Sequence, residues 1–506
     1  MTKKRTYITT TLPYANGAPH AGHLFEFVLA DIATRGRRLV GENVYLNIGL
    51  DEHGGKIAKS TGGIPLADFR KKIRRTWKAF AEDWNISYSN FYQTATDSHR
   101  EQVVAFWNKL VASGHLELKD YTGHYCVGCE SFKTQTELED GICPDHPNTP
   151  IQEISEENYF LLLKDLKQAI LENAESQIKL QPESKRKELL RYANEVEDLS
   201  VSRIHTPQSN LIQSPDPNHD IYVWVDALLN YIFAAGYNEE PRRFFDYWTT
   251  GETVQICGPD NLKFQGVIWQ YLLQAAGLPL TNQLLVHGTI RDKDGAKMSK
   301  TVGNVINPQE ELDEYGVDAV RYYIAAGLPT YQDSNWNPEE LQELHDAHLV
   351  NGFGNLARRV TVLFDKNDWS DKLCESEDWF LDNVSEEVRK DVQRLSNETL
   401  LAYDTFQFNQ AALAINKLNY YGNKYLQDNA PWSKTASDED KLQTLIDAWW
   451  TVKNIIKLYE PIIPTKIGEI KLQVDSWSVL RDLSSDFKPE PVLWFQPLKQ
   501  KKALCT

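Results

Sequence analysis

The chain has 506 residues, of which 41% are hydrophobic and 25% are charged. These proportions are ordinary for globular proteins and exclude a disordered chain or a small disulfide-stabilised scaffold. The 54 basic and 71 acidic residues give a formal net charge of −17, which excludes a uniformly basic nucleic-acid-binding protein but not local basic faces. No apolar run approaches the roughly 18 residues that cross a bilayer, and no apolar leader precedes the first strand, so we expect a cytoplasmic protein with no membrane association.

The first fifty residues predict a strand, a loop, a helix and a second strand. Arg5–Leu12 is rich in Thr, Ile and Tyr and predicts a buried strand. From His20 the apolar residues recur with the helical period until Gly41 provides a stop. Asn43–Leu50 predicts the next strand, and Asp51 follows it directly. This order is a βαβ unit, in which ligands bind beside the carboxyl ends of the strands.

Further along the chain the pattern changes three times. Between about residues 121 and 150 it consists of turns, Cys, His, Gly and Pro. Strand-like apolar runs resume at Tyr222–Val225, Val254–Cys257 and Leu284–His287, and after about His345 the pattern is almost entirely helical. We therefore expect an α/β domain in two halves, 1–115 and 221–345, split by an insertion, 116–220, and followed by a helical bundle, 346–506.

The sequence His20-Ala21-Gly22-His23 stands at the expected start of the first helix. Two imidazoles three positions apart share one face of the first turn, where exposed backbone N–H groups and the helix dipole favour a phosphate. Gly22 has no side chain, so a flat ring can lie against the backbone. The group could hold a triphosphate and stabilise the charge of an in-line transfer. Alone, the pattern fits two ordinary histidines at a helix start equally well.

A second motif, Lys297-Met298-Ser299-Lys300-Thr301, follows a strand and a loop that contains Gly295. Two lysines on such a loop can close on the negative charge that develops on phosphates and then open to release product. Alone, a Lys-x-x-Lys pattern is more typical of a solvated loop.

The two motifs in this order, each placed after a strand, resemble the nucleotide-binding motifs of class I aminoacyl-tRNA synthetases. Further segments narrow the resemblance to the methionyl-tRNA synthetase family and extend it over nearly the whole chain. These segments are Leu12–Gly17, Gly49–Gly54, Tyr222–Ala227, Val286–Gly288 and Gly303–Ile306.

The resemblance implies a Rossmann-like parallel-sheet catalytic domain split by a zinc-bearing connective insertion, then an α-helical bundle that binds the anticodon and a C-terminal tail. The second catalytic half would carry the lysine loop and a region that contacts the tRNA stem. Catalysis would fall to His20, His23, Lys297 and Lys300. ATP, accompanied by Mg²⁺, would contact these four residues and Asn16, Gly17, Gly22, Gly258 and Asp260.

Two paired turns, Cys126-Val127-Gly128-Cys129 and Cys143-Pro144-Asp145-His146, predict a metal site. Three thiolates and one imidazole in this spacing fit tetrahedral Zn²⁺. The alternative is a set of unrelated cysteines. Because the four ligands leave no position open for water, we expect one structural zinc ion per chain, in agreement with the zinc knuckle of the family. The insertion is too short for the editing domain that related synthetases carry.

Carried over from the family, the methionine pocket would be lined by Leu12, Tyr14, Trp224, Ala227, Tyr231, Asn261 and Gln265, and Asp51 would bind the ammonium group. An apolar slot walled by aromatic rings suits a polarisable thioether, although such residues are more often simply core. This chain departs from the family pattern at four points, one of which is Thr301, the last residue of the lysine motif, where Ser is usual. Gln265 and Gln270 stand where the family commonly has His and Pro, and Pro259 precedes Asp260 where Lys is frequent. Because glutamine, unlike histidine, does not titrate near neutral pH, the family pattern does not predict how finely this pocket selects methionine over similar amino acids.

Two segments of the helical region resemble the anticodon-reading elements of the family. Asn355 and Arg359 lie four apart on one helix face and offer an amide and a guanidinium to unstacked bases. Trp432, in Asn-Ala-Pro-Trp, would stack on a base, although a Trp at the edge of a bundle has an equally ordinary packing role.

The resemblance thus implies a methionine–tRNA ligase with ATP, L-methionine and methionine tRNA as its partners. Since the chain ends soon after the bundle, we expect a monomer. Two alternatives stay open, a paralogue that adenylates a different amino acid and a non-catalytic tRNA-binding scaffold. Gln265 and Gln270 are the only support for the first, and the intact histidine and lysine motifs argue against the second.

Overall fold

The computed structural model describes residues 3–128, 131–133, 138–144, 147–163, 165–206, 209–298, 303–484 and 487–498. The chain forms two compact units. The first consists of Met1–Ala18, Val44–Phe80 and Tyr88–His287, and the second of Pro19–Asn43, Ala81–Ser87 and Gly288–Thr506. Within the described ranges, no helix has both the length and the apolar character needed to cross a membrane.

The secondary structure follows the chain in three stretches. The first contains β1 (Arg5–Thr10), α1 (Ala21–Leu39), β2 (Asn43–Leu50), α2 (Gly55–Lys59), α3 (Leu66–Asp83), β3 (Asn90–Gln93) and α4 (Asp97–Ala112). The second contains β4 (Leu116–Cys126), β5 (Ser131–Lys133), β6 (Gln152–Leu161), α5 (Lys167–Glu172), β7 (Lys179–Gln181), α6 (Arg186–Glu195), β8 (Leu199–Ser200), β9 (Ser202–Ile204), β10 (Ile212–Gln213) and β11 (His219–Ile221). The third contains α7 (Val223–Ala234), α8 (Pro241–Phe244), β12 (Glu252–Cys257), α9 (Trp269–Ala275), β13 (Gln283–Val286), β14 (Ile290–Arg291), α10 (Pro308–Tyr315), α11 (Val317–Ala326), β15 (Ser334–Asn335), α12 (Pro338–Leu344), α13 (Asn355–Lys366), α14 (Glu377–Asn383), α15 (Glu386–Asp404), α16 (Phe408–Asn429), α17 (Asp438–Tyr459) and α18 (Pro464–Leu483).

The first unit is built on a six-stranded sheet of order β3–β2–β1–β12–β13–β7. β1 pairs in parallel with β12, with Ile8 opposite Val254, and β12 pairs in parallel with β13. β1 and β12 are buried at nearly every position, as expected for a parallel sheet that is covered on both faces. The chain passes through β2 and β3 on one side of β1 and through β12 and β13 on the other. The topological switch point therefore lies beside the carboxyl ends of β1 and β12, where open α/β sheets bind ligands.

The segment between residues 116 and 220 contributes a separate antiparallel sheet of order β5–β4–β6–β8. The long strands β4 and β6 pair over ten residues, from Leu116 opposite Leu161 to Tyr125 opposite Gln152. The same segment also supplies β7, which pairs in parallel with β13 at the edge of the main sheet. This segment is thus attached to the main sheet by one of its own strands.

Most of the strands and helices expected in the catalytic halves are confirmed, but the run Tyr222–Val225 is not a strand. Tyr222 is the N-cap residue of α7, which continues to Ala234 and is buried at ten of its twelve positions. A short apolar run has no periodicity that separates a strand from a helix buried on all sides. The helical region after His345 is confirmed, with α13 to α18 as its helices.

In the second unit, α1 packs on the bundle through small and charged residues. Gly36 lies so close to α15 that an added Cβ would be 2.8 Å from Cβ of Tyr403. The neighbouring Arg37 donates to the carbonyl of Asp404 (2.9 Å), and its guanidinium lies 4.7 Å from the ring centroid of Phe406. The close approach of the two helices requires glycine at position 36.

A fully buried ion pair, Asp31 with Arg321, lies at the centre of this packing. Arg321 Nη2 donates to Asp31 Oδ2 (2.6 Å), and its other nitrogens donate to the carbonyls of Trp84 (3.0 Å) and Ile462 (2.9 Å). Burial disfavours the carboxylate of Asp31, but the guanidinium of Arg321, together with Arg35 and the hydrogen bonds from Ser87, outweighs that cost and lowers its pKa. One side chain therefore joins α1, the end of α3 and the turn before α18.

Replacing Arg321 with Met should leave the Asp31 carboxylate buried with only its remaining partners, and we expect the free energy of unfolding to fall by about 3 kcal/mol. Denaturant unfolding at pH 7 measures this loss. Since the native pKa of Asp31 is lowered, the stabilisation is present above the ordinary aspartate pKa of about 4 and is lost as the pH falls below it.

The matched control is Arg100→Met, which breaks the exposed pair with Asp97 (3.0 Å) and should cost less than about 1 kcal/mol. Equal losses in the two variants would contradict the central role of the buried pair.

Candidate active site

In the first unit, the chain segments after β1 and β2 are joined at the carboxyl edge of the sheet. Tyr14 and Asp51 form a parallel bridge. Ala15 N donates to the carbonyl of Asp51 (2.8 Å), and Asp51 N donates to the carbonyl of Pro13 (3.0 Å). Asp51 is 3% exposed, whereas Tyr14 is half-buried. The sheet thus places a buried carboxylate beside a phenol at the switch point.

A second wall of this edge comes from α7 and the π-helical turn Phe264–Ile268. The rings of Trp224 and Phe264 stack with centroids 3.7 Å apart and an angle of 11° between their planes. Tyr231, buried on the same helix, contacts Trp269 edge to face. Together with Leu12, which is 7% exposed and lies two residues after β1, these residues provide apolar and aromatic surface of the kind expected for a thioether pocket.

The two glutamines that depart from the family pattern have different environments. Gln265 is 1% exposed; its Nε2 donates to Thr11 Oγ1 (2.9 Å), while its Oε1 is buried without a hydrogen-bond partner. Gln270 has its amide satisfied by the carbonyl of Gln265 (2.8 Å) and by the backbone N–H of Thr281 (3.1 Å). Gln270 is therefore a core residue, and only Gln265 keeps an unused polar atom.

The turn after β12 carries the remaining residues expected in the first unit. Pro259–Asn261 forms one turn of 3₁₀ helix, closed by Asn261 N donating to the carbonyl of Gly258 (3.1 Å). Gly258 faces the ring of His287, since an added Cβ would lie 3.4 Å from its Cε1. Asp260 is exposed on this turn. Of the other expected residues, Ala227 is half-buried on α7 and Asn16 is exposed after β1, next to Gly17.

Sequence reasoning missed a buried polar cluster beside Asp51. Asp226 accepts from the imidazoles of His53, at 2.6 Å, and His99. Ligand-type atoms of Asp51, His53 and Asp226 lie within 4.8 Å of one another, a spacing that a metal ion could use. Because both carboxylate oxygens of Asp226 already face imidazole nitrogens, we interpret the cluster as a hydrogen-bonded charge network. The signal was present in the sequence as the Asp-Glu-His turn, but the partner Asp226 is 173 residues away.

In the second unit, His20 and His23 form the N-terminal cap of α1. Nδ1 of His20 accepts from the backbone N–H of Gly22 (3.1 Å), and Nδ1 of His23 accepts from that of His20 (3.3 Å). The two rings stack with centroids 3.7 Å apart. Since each Nδ1 is an acceptor, the neutral rings carry their protons on Nε2, and each is a hydrogen-bond donor at a helix N-terminus that already favours anions.

The start of the lysine loop belongs to the same unit and is organised by Asp292. Its Oδ1 accepts from the backbone N–H of Ala296 (2.8 Å), and its Oδ2 accepts from the amide of Asn304 (2.6 Å), which lowers its pKa. Lys297 is exposed and pairs with Arg291 in an antiparallel bridge. Ser299, Lys300 and Thr301 lie outside the described residues. After the loop, the carbonyl of Ile306 accepts from Ala21 N (3.2 Å), so this segment meets the first turn of α1.

On the bundle, Arg359 lies beside Trp432, and Asn423 links Arg359 to Asn355. Arg359 lies 5.3 Å from the ring centroid of Trp432, which is 46% exposed. The side-chain oxygen of Asn423 accepts from Asn355 Nδ2 (3.2 Å) and Arg359 Nη1 (3.4 Å). α16 ends at Asn429, and the next residue, Ala430, adopts the left-handed conformation with φ of 41°, which turns the chain toward Trp432.

Of the four expected metal ligands, Cys126 and Cys143 are described and both are fully buried. Cys129 and His146 lie outside the described residues. Cys143 follows Ile142, which is 45% exposed, so the thiol is enclosed in a segment that is otherwise open to solvent.

The chain matches known protein families over most of its length. Residues 6–152 and 136–361 match the family described as tRNA synthetases class I (M), and residues 374–484 match the anticodon binding domain of methionyl tRNA ligase. A methionine–tRNA ligase of Caldanaerobacter subterraneus subsp. tengcongensis is 34% identical over 95% of this chain and 76% of its own length. One from Streptomyces coelicolor is 33% identical over 91% and 88%.

Among solved structures, the methionyl-tRNA synthetase of Mycobacterium tuberculosis in complex with methionyl-adenylate matches with a TM-score of 0.83. The two chains are 28% identical, and the match covers 97% of this chain and 98% of the other.

Replacing Gly22 with Ala tests the histidine cap. The added Cβ would lie 3.0 Å from Cε1 of His20 and displace the ring. If the cap binds a phosphate, the loss of one hydrogen bond to that charged group, worth about 1.5 kcal/mol, should lower the affinity for ATP roughly tenfold in titration calorimetry.

Gly468→Ala is the control, because an added Cβ meets nothing within 4 Å on α18. It should leave ATP affinity unchanged and stabilise the helix by about 0.5–1 kcal/mol. An unchanged affinity in the Gly22 variant would argue against the cap as a phosphate site.

Proposed function

The chain belongs to the methionyl-tRNA synthetase family of class I aminoacyl-tRNA synthetases and is an ATP-dependent methionine–tRNA ligase, and we propose how its residues divide that reaction. A carboxylate oxygen of L-methionine attacks the α-phosphorus of ATP, and pyrophosphate leaves. The terminal ribose hydroxyl of methionine tRNA then attacks the carbonyl of the adenylate, AMP leaves, and the hydroxyl proton is released. The stacked His20–His23 cap is the observation that carries this assignment.

His20 and His23 donate from Nε2 to the phosphates and stabilise the charge that develops during the in-line displacement. Lys297 and Lys300 close on the leaving pyrophosphate, with Asp292 and Asn304 holding the start of their loop. Asn16, Gly17, Gly22, Gly258 and Asp260 complete the nucleotide site, and Mg²⁺ enters with ATP. The protein supplies positioning and electrostatics without a covalent intermediate.

Asp51 binds the α-ammonium of methionine, and the side chain lies against Leu12, Tyr14, Trp224, Ala227, Tyr231 and Asn261. Gln265 lies in the same wall, and its unused Oε1 marks a place where the amide can turn. If the amide rotates, Thr11 donates to Oε1 and Nε2 becomes available to the thioether sulfur, a weak acceptor. Gln265 thus takes over a polar contact that a histidine makes in the family pattern.

The function is tested by ATP–pyrophosphate exchange with each of the twenty amino acids in the absence of tRNA. We expect methionine to drive exchange well above every other amino acid. The Gln265→Ala variant should narrow the preference for methionine over norleucine by about three- to tenfold, the value of one weak hydrogen bond, and Gln265→His should restore it.

Gln270→Ala is the matched control, since its amide is used inside the core, and it should change stability without changing that preference. Exchange driven mainly by another amino acid would favour a paralogue that adenylates that amino acid. If no amino acid drove exchange, the result would favour a non-catalytic tRNA-binding scaffold.

We propose that Asn355, Arg359 and Trp432 read the anticodon, with Asn423 orienting the amide and the guanidinium. Trp432→Ala should raise the KM for tRNA roughly tenfold or more through the loss of one stacked base, worth about 1–3 kcal/mol. Pyrophosphate exchange should not change. Tyr420→Ala, which removes a 70% exposed ring from α16, is the control, and an equal rise in KM there would argue against a specific role for Trp432.

We also propose one structural Zn²⁺ held by Cys126, Cys129, Cys143 and His146. The two described thiols are buried in a segment that is otherwise exposed to solvent, which fits such a site, because a small module without a large hydrophobic core needs a metal ion or disulfides to stabilise it. Elemental analysis should find one zinc per chain, lost in Cys143→Ala and retained in Cys374→Ala, where the cysteine is buried in the bundle. If neither the parent protein nor Cys374→Ala contained zinc, that result would contradict the site. A monomeric state and a cytoplasmic location stay predictions.

A further inference from the structure

A basic cavity lies at the amino edge of the main sheet in the first unit, where the parallel strands β1, β7, β12 and β13 begin. Its volume is about 620 Å³, which is within the usual range for small-molecule sites. Because β1 spans six residues, the amino edge is about 20 Å from the carboxyl edge. The cavity is therefore separate from the proposed methionine pocket of the same unit.

Basic residues outnumber acidic residues in the lining of this cavity. The charged lining residues are Lys3, Lys4, Arg5, Lys179, Asp246 and Glu252. The side chains of Asp246 and Glu252 are only 15% and 12% exposed, whereas that of Lys179 is 69% exposed. The two carboxylates thus lie deeper than this ammonium group, which is open to an incoming ligand.

The two carboxylates of the lining are already compensated by its own cations. Glu252 pairs with Lys4 (2.7 Å) and with Lys179 (3.4 Å). Asp246 pairs with Arg5 (2.5 Å). Three cations therefore compensate two carboxylates, and one further lysine lines the cavity. Among the described lining residues, an anion would meet an excess of two positive charges.

The amide of Asn282, which also lines the cavity, adds an oriented neutral donor. Its Oδ1 accepts from the backbone N–H (2.8 Å) and the hydroxyl (2.9 Å) of the fully buried Thr253. These two bonds fix the amide, and within the described part of the chain its Nδ2 has no hydrogen-bond partner. Nδ2 is therefore available to a ligand in the cavity.

We propose that this cavity binds a small anion with several phosphate groups, the class to which tripolyphosphate belongs. The four basic side chains supply the counter-charge, and Asn282 Nδ2 donates to a phosphate oxygen. A single negative charge gains little from partly exposed lysines, whereas an anion with several charges contacts several of them at once. Because the cations converge on a cavity and do not follow an extended face, a small ligand fits better than an RNA backbone.

The bound anion would also link two parts of the first unit. Lys179 belongs to β7, the strand that attaches the segment 116–220 to the main sheet, and Arg5 is the first residue of β1. An anion held by both side chains would therefore stabilise the attachment of that segment.

Hydrogen exchange measured by mass spectrometry on the full chain locates the binding. This readout is needed because tripolyphosphate also has the charge expected of a ligand for the proposed nucleotide site. At low ionic strength, tripolyphosphate should slow exchange in peptides that cover residues 177–181 and 250–255. The concentration dependence of this protection gives the dissociation constant.

Asn282→Asp keeps an oxygen that accepts from Thr253 but replaces the Nδ2 donor with a charged oxygen, so it should weaken binding by about tenfold or more. Lys179→Gln should weaken binding by about three- to tenfold. Because Lys4 still pairs with Glu252 in this variant, no carboxylate loses its last partner. Lys179→Gln changes an exposed side chain, so it tests the proposal even where Asn282→Asp does not fold.

Asn108→Asp is the matched control, because it makes the same chemical change at an exposed position of α4 that does not line the cavity. It should leave the protection of residues 177–181 and 250–255 unchanged. Thermal unfolding of each variant verifies that it is folded before binding is measured.

Equal protection in the parent protein and in Lys179→Gln, or protection only in segments away from the amino edge, would overturn the proposal. The same loss in Asn108→Asp would also overturn it, since the effect would then follow net charge alone. Protection of these peptides by polyuridylate but not by tripolyphosphate would assign the cavity to RNA instead. None of these outcomes affects the proposed catalytic roles, because the cavity and the active site share no residue.

Discussion

The buried pair Asp31–Arg321 is the interaction on which the arrangement of the second unit depends. Both side chains are 0% exposed, and the guanidinium also donates hydrogen bonds to carbonyls at the end of α3 and in the turn before α18. A buried pair of this kind adds little net stability over an apolar replacement, but removing one partner is costly. Its value here is geometric, since it fixes the helix that begins with His20 and His23 relative to the bundle that carries Asn355, Arg359 and Trp432.

In the histidine cap, the atoms that complete the fold are the same ones to which we assign the proposed phosphate contact. A helix N-terminus has N–H groups without intrahelical partners, and His20 and His23 satisfy two neighbouring donors through Nδ1. The same bonds fix the tautomer that presents Nε2–H, so the rings are oriented before any nucleotide binds. Preorganised donors cost no rearrangement during the reaction, which is why a cap is well suited to a phosphate site.

How much could be predicted from the sequence depended on whether the cause was local. The strand Asn43–Leu50 and the start of α1 follow from periodicity and breakers, and both are confirmed. The run at Tyr222 was misjudged because a helix buried all round has no polar face to reveal its period. The partners Asp226 and Asn423 could not be foreseen, since each meets its neighbours only through tertiary packing across 64 to 173 residues of chain. The ligand assignments came from the family resemblance, whereas residue spacing alone was equally compatible with ordinary structural roles for the same side chains.

The packing of α1 has a consequence for how such enzymes can be taken apart or recombined. An added Cβ at Gly36 would meet Tyr403, and Arg37 donates to the carbonyl of Asp404, so the helix that begins after His20 is completed by α15 of the bundle that matches the anticodon binding domain. A fragment that stops at residue 345 would leave this face of α1 open to water and Arg37 without that partner. The bundle therefore cannot be exchanged by itself. A chimaera of two synthetases must take α1 and the bundle from the same protein, or the surface of α1 must be redesigned to fit the new bundle.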